Sequence, residues 1–290
     1  MTVATERLEK AHDVLTKAVE DLLSGEDWAA MLATAARFHR YSANNVMLIR
    51  FQRPDATRVA GYRAWQGLGR QVRRGERGIA ILAPVVYRRR PVDDTDPDAV
   101  VGVLAGFRVA HVFDVSQTEG RPLPEVPAVP ISEDAPDALW DLLAAQVADA
   151  GYELHRADTA PANGVTDFVA KTVEVSEQIS GAMACKTLAH ELAHVNLHPA
   201  AGLGGISREQ AEVEAESVAY LVTSAAGVDS GSYSFPYVAL WSRGDASVVM
   251  AAAERAIRTA RTILTTAGLD ESTEADPAPV PGPARATTAN

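Results

Sequence analysis

The chain has a single cysteine, Cys185, among 290 residues, so no disulfide can close within it. That thiol sits in an apolar run, where a buried structural role is expected. No apolar stretch approaches the roughly 18 to 20 residues that a membrane-spanning helix needs. The opening residues, MTVATERLEKAHDVL, mix acids and bases where a secretory leader would carry an apolar core. A cytoplasmic location without a membrane partner is therefore the expectation. Aromatic residues are scarce at 6%, while the hydrophobic share of 47% is that of a globular protein. At this length two domains can each bury a core.

Lysine is absent between Arg37 and Arg90. That stretch holds thirteen arginines against two acids, Asp55 and Glu76, a local charge of +11. The whole chain carries −11, which leaves −22 for the remainder. An acidic total alone would argue against a nucleic-acid partner, but the uneven distribution reverses that argument for one part of the molecule. Arginine neutralises phosphates and stacks on bases, and here it is interleaved with Tyr41, Phe51, Tyr62, Trp65 and Tyr87. These are the ingredients of a single-strand nucleic-acid groove, the alternative being a solvated basic surface with the aromatics in the core. Arg73, Arg74 and Arg77, in a glycine-flanked turn, are the first candidates for contact, followed by Arg88, Arg89 and Arg90, with Tyr41 and Arg63 after them. Trp65 has the helical spacing of a core residue.

Periodicity divides the chain into an α+β arrangement. Apolar residues at helical spacing predict helices near residues 5–23, 27–38 and 42–51, and a short helix in GYRAWQGLG. The β-branched runs IAILAPVVYRRR and VVGVLAGFRVAHVFDV predict two strands. A domain over 1–116 is followed by a proline-rich linker, 117–137. The second domain, 138–267, opens with a helix, continues through three short strands between 152 and 175, and ends in helices near 179–197, 207–226 and 247–267. The proline-rich tail, 268–290, is expected to be disordered.

The most specific chemistry lies in CKTLAHELAHVNLH, residues 185–198. His190 and His194 stand four apart, one above the other on a helix face, so both imidazoles can reach one ion at the ~2.0–2.1 Å that zinc requires. Glu191, turned about 100° round the axis, suits a general base better than a ligand. Catalytic zinc takes three protein ligands and one open position. His198 lies ~12 Å from His190 along a straight helix and cannot share its ion, so a helix-end or supporting role is expected. A third histidine ten residues after the first would fit another zincin class, but that position is Ala200. The following helix offers REQAEVEAESVAYL, in which Glu212 and Glu216 share a face and Glu214 points away. Glu212 is the first choice for third ligand, and Glu216 for a hydrogen bond from a ligand imidazole. Tyr237 is the candidate oxyanion donor. One zinc ion, peptide-bond hydrolysis and an unknown protein substrate follow, with a non-catalytic, structural metal as the alternative.

With these residues in view, HELAH followed by EVEAESVAY resembles the gluzincin-like metallopeptidases of the ImmA/IrrE kind. Their glutamate helix implies Glu212 as ligand and Glu216 in the later position. YSANNVMLI, RPDATRVAGYRAWQGLGRQVRRGERGIAILAP and FRVAHVFDVSQTEG resemble the N-terminal domain of ArdC antirestriction proteins. The joint resemblance, over about residues 25–265, implies an N-terminal α+β single-stranded-DNA-binding domain and a C-terminal zincin-like metallopeptidase domain with a small sheet and HExxH helix. It implies an antirestriction or mobile-element protein. HELAHVNLH itself is nearer the general zincin form than the ArdC wording.

Overall fold

Trp28, Met31, Leu32, Ala35 and Phe38 are all buried in the computed structural model of the chain, and their spacing of three and four residues makes one apolar stripe on a helix. The structure describes residues 3–20, 25–89, 101–123, 135–179, 181–198, 206–228, 242, 245–269 and 280–281. It is a mixed α+β fold with small sheets. No helix among these residues is long and apolar enough to cross a membrane.

Two compact units form, and neither is continuous in the chain. One comprises Met1–Thr16, Leu48–Arg121 and Glu274–Asn290; the other comprises Lys17–Met47 and Pro122–Thr273. Residues 17–47, which fall inside the segment expected to be the first domain, therefore pack with the histidine-bearing segment. Helices α1 (Val3–Glu20) and α3 (Ala43–Gln52) run across the division.

In the arginine-rich unit, β1 (Val59–Gly61) leads into a short helix α4 (Tyr62–Gly67). Next come β2 (Arg70–Val72), β3 (Ile79–Arg89), β4 (Val101–Asp114) and β5 (Thr118–Gly120). β3 and β4 form the long antiparallel hairpin expected from their β-branched runs, with β1 beside β4 and β9 (Val280–Pro281) beside β3. β2 and β5 make a separate antiparallel pair. Asp114 ties this unit together: its carboxylate accepts from the backbone N–H of Thr57 (2.8 Å), Arg58 (3.0 Å) and Ser116 (2.9 Å). Those donors hold its acid below the usual carboxylate range despite partial burial. Gly120 has φ +132°, and a Cβ there would meet the Gly69 carbonyl oxygen at 2.5 Å, so only glycine fits.

The second unit places α2 (Gly25–Arg37) against α7 (Arg208–Ala225), with the Trp28 indole N–H donating to the Ser217 hydroxyl at 3.0 Å. Around α7 also pack α6 (Gly181–Leu197) and α8 (Ala246–Thr266). α8 buries Val249, Ala252, Ala253, Ala256, Ile257, Ala260, Ile263 and Leu264, a repeat of threes and fours over its whole length. Helix α5 (Ala135–Asp149) covers another side of α6 through Leu139, Leu143 and Val147. A three-stranded sheet completes the unit. Its centre is β8 (Thr172–Ser176), parallel to β6 (Glu153–Ala157) and antiparallel to the edge strand β7 (Gly164–Asp167). Alternation buries Val173 and Val175 of β8, and both β7 and β8 lie against α6. Cys185 is buried on α6, and burial pushes its thiol up to about 11.

Candidate metal centre

Alanine and leucine at most positions between the histidines keep α6 helical and let α7 approach closely. His190 and His194 consequently project side by side, with ring centroids 4.8 Å apart and Nε2 atoms 3.1 Å apart. From α7, Oε2 of Glu212 lies 3.3 Å from His190 Nε2 and 3.8 Å from His194 Nε2. Tetrahedral zinc with bonds of ~2.0–2.1 Å sets its donors about 3.3–3.4 Å apart, so these three atoms fit one ion with little movement. They form a possible metal-binding triad. Burial opposes charge on His190, but hydrogen bonds with Glu212 and Glu216 outweigh it and raise its pKa to about 9. Contact with the two imidazoles holds the Glu212 carboxyl far below the usual carboxylate range.

The opposite ring nitrogens are also engaged. His190 Nδ1 faces Glu216 Oε2 at 3.2 Å, and Lys186 Nζ pairs with Glu216 Oε1 at 2.8 Å. His194 Nδ1 lies 3.0 Å from His198 Nδ1. His198 follows the last turn of α6, its side chain only 1% exposed, and its Nε2 lies 3.4 Å from Glu214 Oε2. Glu214 points away from Glu212 and Glu216, into the core, where Gln210 and Arg255 donate to it. Burial opposes its charge, yet donors from His198, Arg255 and Gln210 hold its acid below the usual range. The sequence reading of Glu214 as simply turned away missed this partner, because Arg255 lies on a helix 41 residues further on.

Glu191 is 6% exposed and accepts a 2.7 Å hydrogen bond from the Thr166 hydroxyl of β7. Beside it, Gly164 leaves no room for a side chain: a Cβ would meet Thr187 Cγ2 at 2.6 Å and Glu191 Oε1 at 2.7 Å. Glu191, His190, Glu216, Thr187 and Gly164 border a cavity of about 300 Å³. Neither Thr166 nor Gly164 was singled out from sequence, since a three-dimensional meeting of strand and helix leaves no local motif. Tyr237 lies outside the described residues.

Among the candidates for DNA contact, Arg63, Arg74 and Arg77 are exposed. Arg73 is exposed but spends its guanidinium on the fold, pairing with Glu76 Oε1 at 2.9 Å and donating to the Ser116 carbonyl at 2.6 Å. Tyr41 corrects the expectation: it is 1% exposed, packs edge-on to Phe38 and gives its carbonyl to Arg261, so its ring is a core residue and not a stacking platform. Trp65 is likewise buried, donating to the Phe113 carbonyl. Arg88 and Arg89 close β3, their side chains undescribed, and Arg90 lies outside the described residues. Phe51, Tyr62 and Phe107 are exposed aromatics in the same unit or its bordering helix; Phe107 was not anticipated.

A Bacillus anthracis protein described as uncharacterized is 24% identical over 278 residues, covering 81% of this chain. The chain spans about half that protein's length, 47%. Two crystal structures of the antirestriction ArdC protein from the R388 plasmid are similar to it. The metal-free one has 21% identity and a TM-score of 0.49, covering 79% of this chain and 85% of that one. The Mn(II)-bound one has 19% identity and the same TM-score, covering 78% and 85%. Residues 5–114 match the family model described as the N-terminal domain of anti-restriction factor ArdC.

Proposed function

We propose that the chain is a single-stranded-DNA-binding protein of the antirestriction or mobile-element type whose second unit is a zincin-like, divalent-metal-dependent peptidase. The observation that carries the hydrolase half is the meeting of His190, His194 and Glu212 donors at 3.1–3.8 Å, beside a cavity that Glu191 also borders. Zinc is the ion that a nitrogen, nitrogen and carboxylate set favours. Bound there, it would supply Lewis acidity, lowering the pKa of a water to about 7 and polarising a carbonyl. The protein's own residues do the rest. Glu191 takes the proton of the attacking water and returns it to the leaving amine, and Thr166 holds that carboxylate in place. Glu216 and His198 keep the two imidazoles oriented. The substrate is a peptide bond of an unidentified protein.

DNA binding rests on the match of residues 5–114 to the ArdC N-terminal domain and on the exposed arginines Arg63, Arg74 and Arg77. A second reading keeps the DNA function and makes the metal structural. It draws on the way the centre joins α6 to α7, with Arg255 of α8 tied in behind.

Glu191→Gln separates the two readings. It leaves the metal donors untouched, so zinc content should stay at the wild-type level while hydrolysis falls by about 10²–10⁴-fold. Protection of single-stranded DNA that survives this substitution makes the hydrolase dispensable for it. A wild-type protein that retains no zinc, or loses none in His190→Ala, overturns the metal centre itself.

A further inference from the structure

We infer that His198 is a positioning residue for His194, anchored by the buried Glu214–Arg255 pair, and that this chain of contacts sets how tightly the His190/His194/Glu212 centre holds a divalent cation. The inference rests on the metal-centre reading above and extends it to groups that never touch the ion.

The argument runs outward from Glu214. Its side chain is wholly buried and receives Arg255 Nε at 3.1 Å and Gln210 Nε2 at 2.9 Å. Both of these partners are donors, so towards its neighbours Glu214 serves as an acceptor. His198 Nε2, 3.4 Å from Glu214 Oε2, must therefore carry a hydrogen. In a neutral ring the Nδ1 of His198 is then a lone pair, and that lone pair faces His194 Nδ1 at 3.0 Å. His194 must place its own hydrogen on Nδ1 to avoid a collision of lone pairs. Its Nε2 is left bare and meets His190 Nε2 at 3.1 Å and Glu212 Oε2 at 3.8 Å, a convergence of acceptors that a shared cation would relieve. One buried carboxylate thus selects the tautomer of two imidazoles in series and presents the second as a metal donor.

His190 reaches the same end by a different device. Its Nδ1 donates directly to Glu216, which Lys186 neutralises. The two ligand rings therefore have separate supports, one carboxylate deep and one imidazole plus carboxylate deep. A histidine that merely filled space at the end of α6 would need neither the 3.0 Å contact nor the buried anion behind it. Its side chain, 1% exposed, has both nitrogens engaged.

Zinc affinity of the full chain, measured by competition with a chromophoric chelator, tests the inference. His198→Phe keeps the ring volume and removes both nitrogens; affinity should fall about 10–100-fold. His198→Asn keeps an oxygen acceptor near the position of Nδ1 but gives up the contact with Glu214, so its loss should be clearly smaller than that of His198→Phe. Equal affinity in wild type and His198→Phe, or loss in His198→Asn as large as in His198→Phe, overturns it. His194→Ala serves as reference. If it loses zinc while His198→Phe keeps it, the positioning role alone fails; if wild type and His194→Ala bind alike, the metal centre fails and takes this inference with it. Nitrogen-15 NMR of zinc-loaded wild type needs no variant to fold: His198 should be the Nε2–H tautomer and His194 the Nδ1–H tautomer. A Nδ1–H tautomer at His198 overturns the inference.

Discussion

The Thr166 hydroxyl donates to Glu191 at 2.7 Å, so the edge strand of the small sheet and the histidine helix meet at the carboxylate assigned to proton transfer. A hydrogen bond to a charged acceptor contributes about 1.5–3 kcal/mol. Its loss in Thr166→Val should lower peptide hydrolysis about 10–100-fold with zinc content unchanged. Thr166→Ser, which keeps the hydroxyl, should recover most of the rate. Steady-state assays of the two variants decide it, and full activity in the valine variant would remove Thr166 from the mechanism.

Gly164 sits where strand and helix come nearest. In Gly164→Ala the new methyl lies 2.6 Å from Thr187 Cγ2 and 2.7 Å from Glu191 Oε1, contacts that force both side chains aside. The variant should lose about 1–3 kcal/mol of stability, as overpacked sites do, together with activity. Urea unfolding alongside the same hydrolysis assay measures both.

If the proposed DNA binding holds, Arg74→Ala and Arg77→Ala should each weaken single-strand binding and reduce the slope of log K against log salt by about 0.7. Tyr41→Phe should leave binding unchanged, because that ring is buried against Phe38. Fluorescence anisotropy with a labelled oligonucleotide at several salt concentrations gives both results. A Tyr41 effect equal to that of Arg74 would contradict the buried position.

Asp114 gives a pH dependence of stated sign. Its folded-state acid is stronger than the unfolded one, since backbone N–H groups of Ser116, Thr57 and Arg58 favour the anion over the cost of burial. The stability it contributes is therefore full above the unfolded value of about 3.9 and is lost as pH falls through the lower folded value. Asp114→Asn should cost about 1–3 kcal/mol at pH 7. The gap from wild type should narrow below about pH 4 in denaturant titrations, and a gap that widens in acid would refute the assignment.

Much of this was readable in advance. The stripe from Trp28 to Phe38 and the long repeat of α8 announce helices through spacing alone, and the interval between His190 and His194 places them on one helix face in the same way. Glu212 could be favoured as ligand because it shares a helix face with Glu216. What spacing could not supply was the rotation of α7 against its neighbours, which sends Glu214 to Arg255 and makes it the anchor of His198. Strands β2 and β5 have three residues each and lie among glycines, too short for any alternation to register. Tyr41 misled because composition counts aromatics near arginines without knowing which ones the core claims.

Helix α2 precedes the arginine-rich strands in the chain yet lies against α7 through Trp28. Cleavage anywhere between residues 116 and 138 would therefore strip the downstream piece of a wall, wetting the apolar flank that α2 covers. Recombination that exchanged the front of the gene for another would do the same. Such an interleaved order makes the histidine-bearing unit dependent on a stretch of chain that lies upstream of the arginine-rich strands.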